Sequence, residues 1–297
     1  MSATTTASHF PEARVVGPTT VAPADADYPA SLRDLSSPPV RLWLVGRREL
    51  MSAAPVVAVV GTRTATEYGE RVTRELARTL ARAGACIVSG MARGIDAAAH
   101  RAALAEHGAT IAVLGTGVDV PYPVGHRTLQ QAIGEQGLLI SEYPPGTHAG
   151  PGCFPRRNRI IAALATVTIV VEAGVKSGAL STANEALKLG RTVAAVPGRI
   201  DSPHSEGTNG LLRDGAVIIA DVTDALTLLG LAVPRAAPTT PQGDAGAVWV
   251  ALAGGPLDAD ALCVRSGLPA SRCLSAVTEL ELQGLVECSL TGFIRRR

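Results

Sequence analysis

PVVAVVGTRTATEYGERVTRELARTLARAGACIVSGMARGID, residues 55–96, decides the architecture. It opens on a short valine-rich run, 55–60, bounded by Gly61. Such a run reads as a buried parallel strand. Tyr68, Val72, Leu76 and Leu80 then recur at helical spacing. Arg71, Arg74, Arg78 and Arg82 lie on another face, and Gly84 closes the helix. CIVS, 86–89, is a second strand, followed by the glycine-punctuated turn that ends at Ile95-Asp96. Strand, helix and strand at this rhythm specify a βαβ unit.

The same alternation continues outward. A helix is expected near 95–107, strands at 110–115, 138–141, 166–172, 192–196 and 216–220, and helices near 126–135, 156–164 and 181–189. The predicted fold is α/β, a Rossmann-like doubly wound, mainly parallel sheet. Ligands in such sheets bind at the carboxyl ends of the strands. Residues 1–25, rich in Thr, Ala and Pro, read as a mobile tail, and 28–50 as a cap segment within a main domain spanning 26–232. Residues 233–246, PRAAPTTPQGDAG with its preceding Val, read as a linker. Residues 247–297 outline a small winged-helix domain: helices over 257–267 and 268–284, then a hairpin turning at Thr291-Gly292.

Composition bounds the function without deciding it. Of 297 residues, 46% are hydrophobic, enough for a sizeable core, but only 3% are aromatic. Lys+Arg 27 against Asp+Glu 26 leaves a net charge of +1, so a nucleic-acid reading requires local clustering. Five cysteines without zinc-ligand spacing fit a reducing, cytoplasmic setting. MSATTTASHF lacks the basic and apolar regions of a signal peptide, and no apolar run approaches the ~20 residues of a membrane span. No metal ligand set, cofactor motif or catalytic residue is expected.

Four loops after strands carry polar groups. Gly61-Thr62-Arg63 allows backbone approach to a phosphate, although taken alone it reads better as an ordinary turn with a solvated arginine. Ser89-Gly90-Met91-Ala92-Arg93-Gly94-Ile95-Asp96 resembles a phosphate or sugar loop; Asp96 equally offsets the helix dipole. Tyr122, after Gly115-Thr116-Gly117, offers a ring for base stacking, with packing under its loop the preferred reading. The fourth is the most informative: Phe154-Pro155-Arg156-Arg157-Asn158-Arg159 opens a helix after a Pro/Gly-rich loop. A ring beside three arginines combines a stacking platform with a phosphate clamp. Arginines at a helix N-terminus oppose the macrodipole, which disfavours a purely structural role. Between 151 and 199 seven basic residues face two acidic ones, Glu172 and Glu185. Lys176-Ser177-Gly178 adds another phosphate-cradle arrangement.

These motifs together resemble the DprA/Smf family of DNA-processing proteins. Gly61-Thr62-Arg63 is similar to its Gly-Ser-Arg motif, and Ser89-Gly90 with Ala92, Gly94, Ile95 and Asp96 to its second loop. The Phe154–Arg159 run, Val171-Glu172-Ala173 with Ser177-Gly178-Ala179-Leu180 and Thr182, and Arg191 with Val196-Pro197-Gly198 follow in order. The resemblance implies a non-enzymatic protein that binds single-stranded DNA, protects it, and loads the RecA recombinase onto it in natural transformation and recombination. It implies a homodimer; Leu211, Leu212 and Val217 read as its apolar face or, equally, as core packing. The expected DNA-binding residues are Gly61, Thr62, Arg63, Ser89, Gly90, Arg93, Phe154, Arg156, Arg157, Asn158, Arg159, Lys176, Ser177 and Gly178. In some members a basic residue stands three before the Phe; here it is Pro151, so one phosphate contact is lost.

Two other classes compete. A nucleotide phosphoribohydrolase of related fold needs a glycine-rich loop carrying a carboxylate, whereas 172–178 here is EAGVKSG, with Lys176 making it basic. A transcription regulator would read duplex DNA through the winged helix, but Glu279 and Glu281 on its recognition helix would repel phosphates. That unit is expected to contact protein or regulate access instead.

Overall fold

The computed structural model describes residues 17–232, 241–282, 285–289 and 292–296. The chain falls into two compact units, divided between Pro234 and Arg235. The first is built on seven parallel strands: β3 (Val56–Val60), β4 (Cys86–Ser89), β5 (Thr110–Leu114), β6 (Leu138–Ser141), β7 (Val167–Val170), β8 (Thr192–Ala195) and β9 (Val217–Ile218). Two antiparallel strands, β1 (Thr19–Val21) and β2 (Leu42–Gly46), extend the sheet beyond β6. The order is β1-β2-β6-β5-β4-β3-β7-β8-β9. The direction of winding reverses at β3, between β4 and β7, which opens a crevice at the carboxyl edge there.

Alternation along β3 explains the layers. Val56, Ala58 and Val60 join the core packed under α4 (Cys153–Leu164) and α5 (Gly178–Lys188). Val57 and Val59 face the opposite core, under α1 (Glu67–Arg82), α2 (Ile95–Ala105) and α7 (Val222–Leu228). A third cluster gathers Leu129 and Ile133 of α3 (Arg127–Gln136) with Leu114 and Leu139. A strand buried on both faces needs apolar residues throughout, which is why these runs do not alternate.

Four readings of the sequence are corrected. Thr19–Val21, counted in the mobile tail, is an edge strand with Val21 buried against β2. The cap segment contributes β2 to the sheet itself, with Leu42 and Leu44 buried. The stretch before β9, read as loop, holds α6 (Glu206–Arg213). The expected linker of 233–246 lies outside the described residues up to 240, but from Gly243 it is helix α8 (Gly243–Ala251).

In the second unit α8 packs with α9 (Ala259–Ser266) and α10 (Ala270–Leu282) around Val248, Leu262, Cys273 and Leu280. The antiparallel pair β10 (Val286–Cys288) and β11 (Ile294–Arg296) completes a winged-helix unit. Thr291 of the expected hairpin turn lies outside the described residues. Among the described residues no helix is long and apolar enough to cross a membrane, and no cluster of metal-ligating side chains occurs.

Candidate nucleic-acid interface

Two neighbouring clefts open at the carboxyl edge, of about 520 and 560 Å³. Arg63 and Phe154 line both and form the ridge between them. The first cleft lies at the switch point, between the loop after β3 (Gly61, Thr62, Arg63) and the loop after β7 (Lys176, Ser177, Gly178). The second lies over β4 and β5, walled by Gly90, Arg93, Arg101, Gly115, Tyr122 and His126.

The ridge is built locally. Gly152, in the left-handed region at φ 78°, turns the chain into α4, which therefore starts three residues earlier than expected and places Phe154 in its first turn. A side chain at Gly115 would stand 2.7 Å from the Phe154 ring, so only glycine seats the ring there. The ring remains half-buried, with Tyr122 4.9 Å away at 31° and the Arg63 guanidinium 5.5 Å from its centroid. Tyr122, expected beneath its loop, is 42% exposed. Phe154 thus lines both clefts and Tyr122 the second.

The Arg63 loop is held from below by Glu172, a residue that sequence reading assigned only to a motif. Its backbone oxygen accepts the Thr62 N–H at 2.7 Å. Its buried carboxylate accepts the N–H and hydroxyl of Thr66 at 2.9 and 2.7 Å. Thr66 in turn caps α1 by accepting the Gly69 N–H. The loop is fixed at both ends while Arg63 stays exposed.

The arginine cluster of α4 is not an open clamp, which corrects the sequence reading. Arg157 is buried and points down into the sheet. Its guanidinium donates to the carbonyls of Gly90, at 2.7 Å, and Val113, and to the Asn158 side chain at 3.2 Å. A Cβ at Gly90 would lie 2.4 Å from that guanidinium, so Gly90 is needed to admit it. Burial lowers the Arg157 pKa to about 10, with Asp96 opposing and Arg63 adding to the shift. Asn158 donates to the Gly178 carbonyl at 3.2 Å and so braces the Lys176 loop. Arg159 and Arg156 both pair with the buried carboxylate of Glu142, at 2.6 and 3.2 Å. Arg159 is largely buried by this, whereas Arg156 stays exposed. Neither lines a cleft.

Among the other expected residues, Ser89 is buried and donates to the Val59 carbonyl. Asp96, on the floor of the first cleft, accepts the N–H groups of Gly90 and Ala92. Burial pushes its carboxyl up; Arg157 and these backbone donors pull against that. The cations left open at the clefts are Arg63, Arg93, Arg101 and Lys176, and none pairs with a carboxylate among the described residues. Arg101 carried no sequence signal, because it sits inside a helix and reaches the cleft only through packing.

The arrangement offers two partly exposed rings with unpaired cations around them, beside two strand–helix turns. It suits a flexible polyanion with stackable groups.

Comparison with known proteins agrees. Residues 19–230 match the family model for DNA recombination-mediator protein A, and residues 232–289 that for the DprA winged helix domain. Protein Smf of Escherichia coli is 38% identical over 288 residues, covering 93% of this chain and 77% of its own. The crystal structure of DNA processing protein A from Streptococcus pneumoniae superposes with a TM-score of 0.68 at 39% identity, covering 72% of this chain and 75% of that one. DNA processing protein A from Helicobacter pylori, solved to explain its single-stranded DNA binding mode, gives 0.65 at 35%, covering 72% and 95%. The two-cleft sheet edge and the winged-helix unit therefore belong to a member of the DNA recombination-mediator protein A family, the DprA/Smf proteins.

Proposed function

We propose that the carboxyl-edge clefts bind single-stranded DNA without any bond-making step, protect it, and present it to the RecA recombinase in the cytoplasm during DNA uptake and recombination. The observation that carries this reading is the ridge: a half-buried Phe154 ring flanked by the unpaired charges of Arg63 and Lys176. Bases stack on the rings while the cations follow the phosphates. The Helicobacter pylori relative, a single-stranded DNA binder, supports the assignment.

The enzymatic alternative finds no free carboxylate lining the clefts among the described residues. Glu172 is committed to Thr66, and Asp96 to backbone donors. Duplex reading by the second unit is disfavoured because Arg272 is paired with Asp244 and Arg295 with Glu287. That unit serves protein contacts in this reading. Homodimerisation would use Leu211 and Leu212 of α6 beside the exposed edge strand β9, where Val217 and Ile218 are open.

Titration of a fluorescent oligonucleotide, single-stranded and duplex, at two salt concentrations tests the reading. Single strands should bind more tightly and weaken steeply with salt. Equal affinity for duplex, or none for either, refutes it.

A further inference from the structure

The second cleft does not end at the sheet. Arg101 of α2 lines it together with Arg63 and Arg93, and also lines a separate groove of about 180 Å³ between α1 and α2. The other charged walls of that groove are Arg74, Arg78 and Glu70. Its floor is made of Gly94, Ala98 and Ala102, so no long side chain stands between the arginines. Three of the four charged residues are basic, and the chain as a whole is near neutral.

The existing pairs leave these cations available. Arg74 and Glu70 are 3.1 Å apart with both side chains nearly half exposed. Arg78 approaches Glu106 at 3.6 Å, but Glu106 is already held by Arg82 at 2.7 Å. Exposed pairs of this kind contribute little and exchange readily for another anion. Arg101 has no carboxylate partner among the described residues. Arg74 and Arg78 of the α1 arginine row, which are only loosely paired within the fold, thereby acquire a role.

We propose that the α1–α2 groove is a second phosphate-binding segment, over which a single strand leaving the Phe154 cleft continues by way of Arg93 and Arg101. The proposal rests on the single-strand reading of the clefts. Its ligand is the sugar–phosphate backbone, not the bases, because the groove offers charge and small side chains but no ring. The cleft alone fixes a short strand, and the groove adds affinity only for strands long enough to reach it.

The test compares a short and a long oligothymidylate, about 4 and about 20 nucleotides, on wild type and R74Q/R78Q, which alters groove residues that line neither cleft. Glutamine preserves helix propensity at both exposed helical positions. The double variant is expected to bind the short strand as wild type does. Its affinity for the long strand should fall toward the short-strand value, and the salt slope should drop by about 0.7 per lost phosphate contact. An unchanged long-strand affinity and slope overturns the groove and leaves the cleft reading intact. An equal loss for both lengths also overturns it, because Arg74 and Arg78 would then act on the cleft and not on a separate segment. Absence of binding by wild type sinks both readings together.

Discussion

The Arg63 guanidinium stands 5.5 Å above the Phe154 ring, although the two residues lie on different elements: the loop after β3 and the first turn of α4. Their contact joins the strongest donor fork of the site to its stacking surface. Removing either one therefore disturbs the other.

Alanine at Phe154 is expected to cost about 1–3 kcal/mol in single-strand affinity, if the ring stacks on a base. R63A should lower the salt slope as well, by about 0.7. The double variant should lose less than the sum of the single losses, by about 0.5–1 kcal/mol for the cation–ring coupling. Full additivity in a titration would show that the pair does not act as a unit.

Arg157 should behave as a structural residue despite its place in the basic motif. R157A strands two backbone carbonyls and removes the charge that opposes the upward shift of Asp96. A stability loss of about 3 kcal/mol or more in denaturant unfolding is expected. Near-wild-type stability with abolished binding would instead place the guanidinium on the strand.

Glu142 restrains positive charge next to the site. E142Q should release Arg156, whose side chain is already 62% exposed, from its ion pair. Single-strand affinity should rise and the salt slope increase by up to about 0.7. Stability should fall by about 1–3 kcal/mol, because Arg159 loses its charged partner while largely buried. Lower affinity in this variant would mean that Glu142 acts by positioning α4.

His100 makes the fold acid-sensitive. It is buried with its Nε2 unpartnered, and desolvation, reinforced by Arg157, lowers its pKa from 6.5 to about 3. The unfolded chain therefore binds a proton that the folded chain refuses between those values. The associated stability is full above pH 6.5 and is lost as pH falls toward 3. Going from pH 7.5 to 5 should remove about 2 kcal/mol. Thermal melts of wild type and H100Q at the two pH values check this: the variant should lack that component of the decline.

L212E should yield a folded monomer by analytical ultracentrifugation if α6 forms the dimer face. Leu212 is only partly buried within its own chain, so the change is tolerable there. A dimeric variant would move the interface elsewhere.

Much of this was legible along the chain. The runs at 56–60 and 86–89 announce doubly buried strands because both faces must be apolar, and the glycines after them mark the turns where a ligand can approach. The small residues of α6 and α8 concealed two helices, since Gly207, Gly210, Gly243 and Gly246 weaken local propensity and packing decides the outcome. Thr19–Val21 is too short to signal a strand until β2 lies beside it.

The amino-acid order by itself determined the parallel sheet, the crevice at its carboxyl edge, and the stretch in which ring and guanidinium groups would meet, because apolar periodicity and turn chemistry act over a few residues. Which arginine faces outward was settled only by tertiary structure. Arg157 is drawn inward by carbonyls that follow β4 and end β5, and Arg159 by a carboxylate 17 positions away. A buried acceptor must be satisfied wherever the fold leaves it, and side chains of identical chemistry part company on that account.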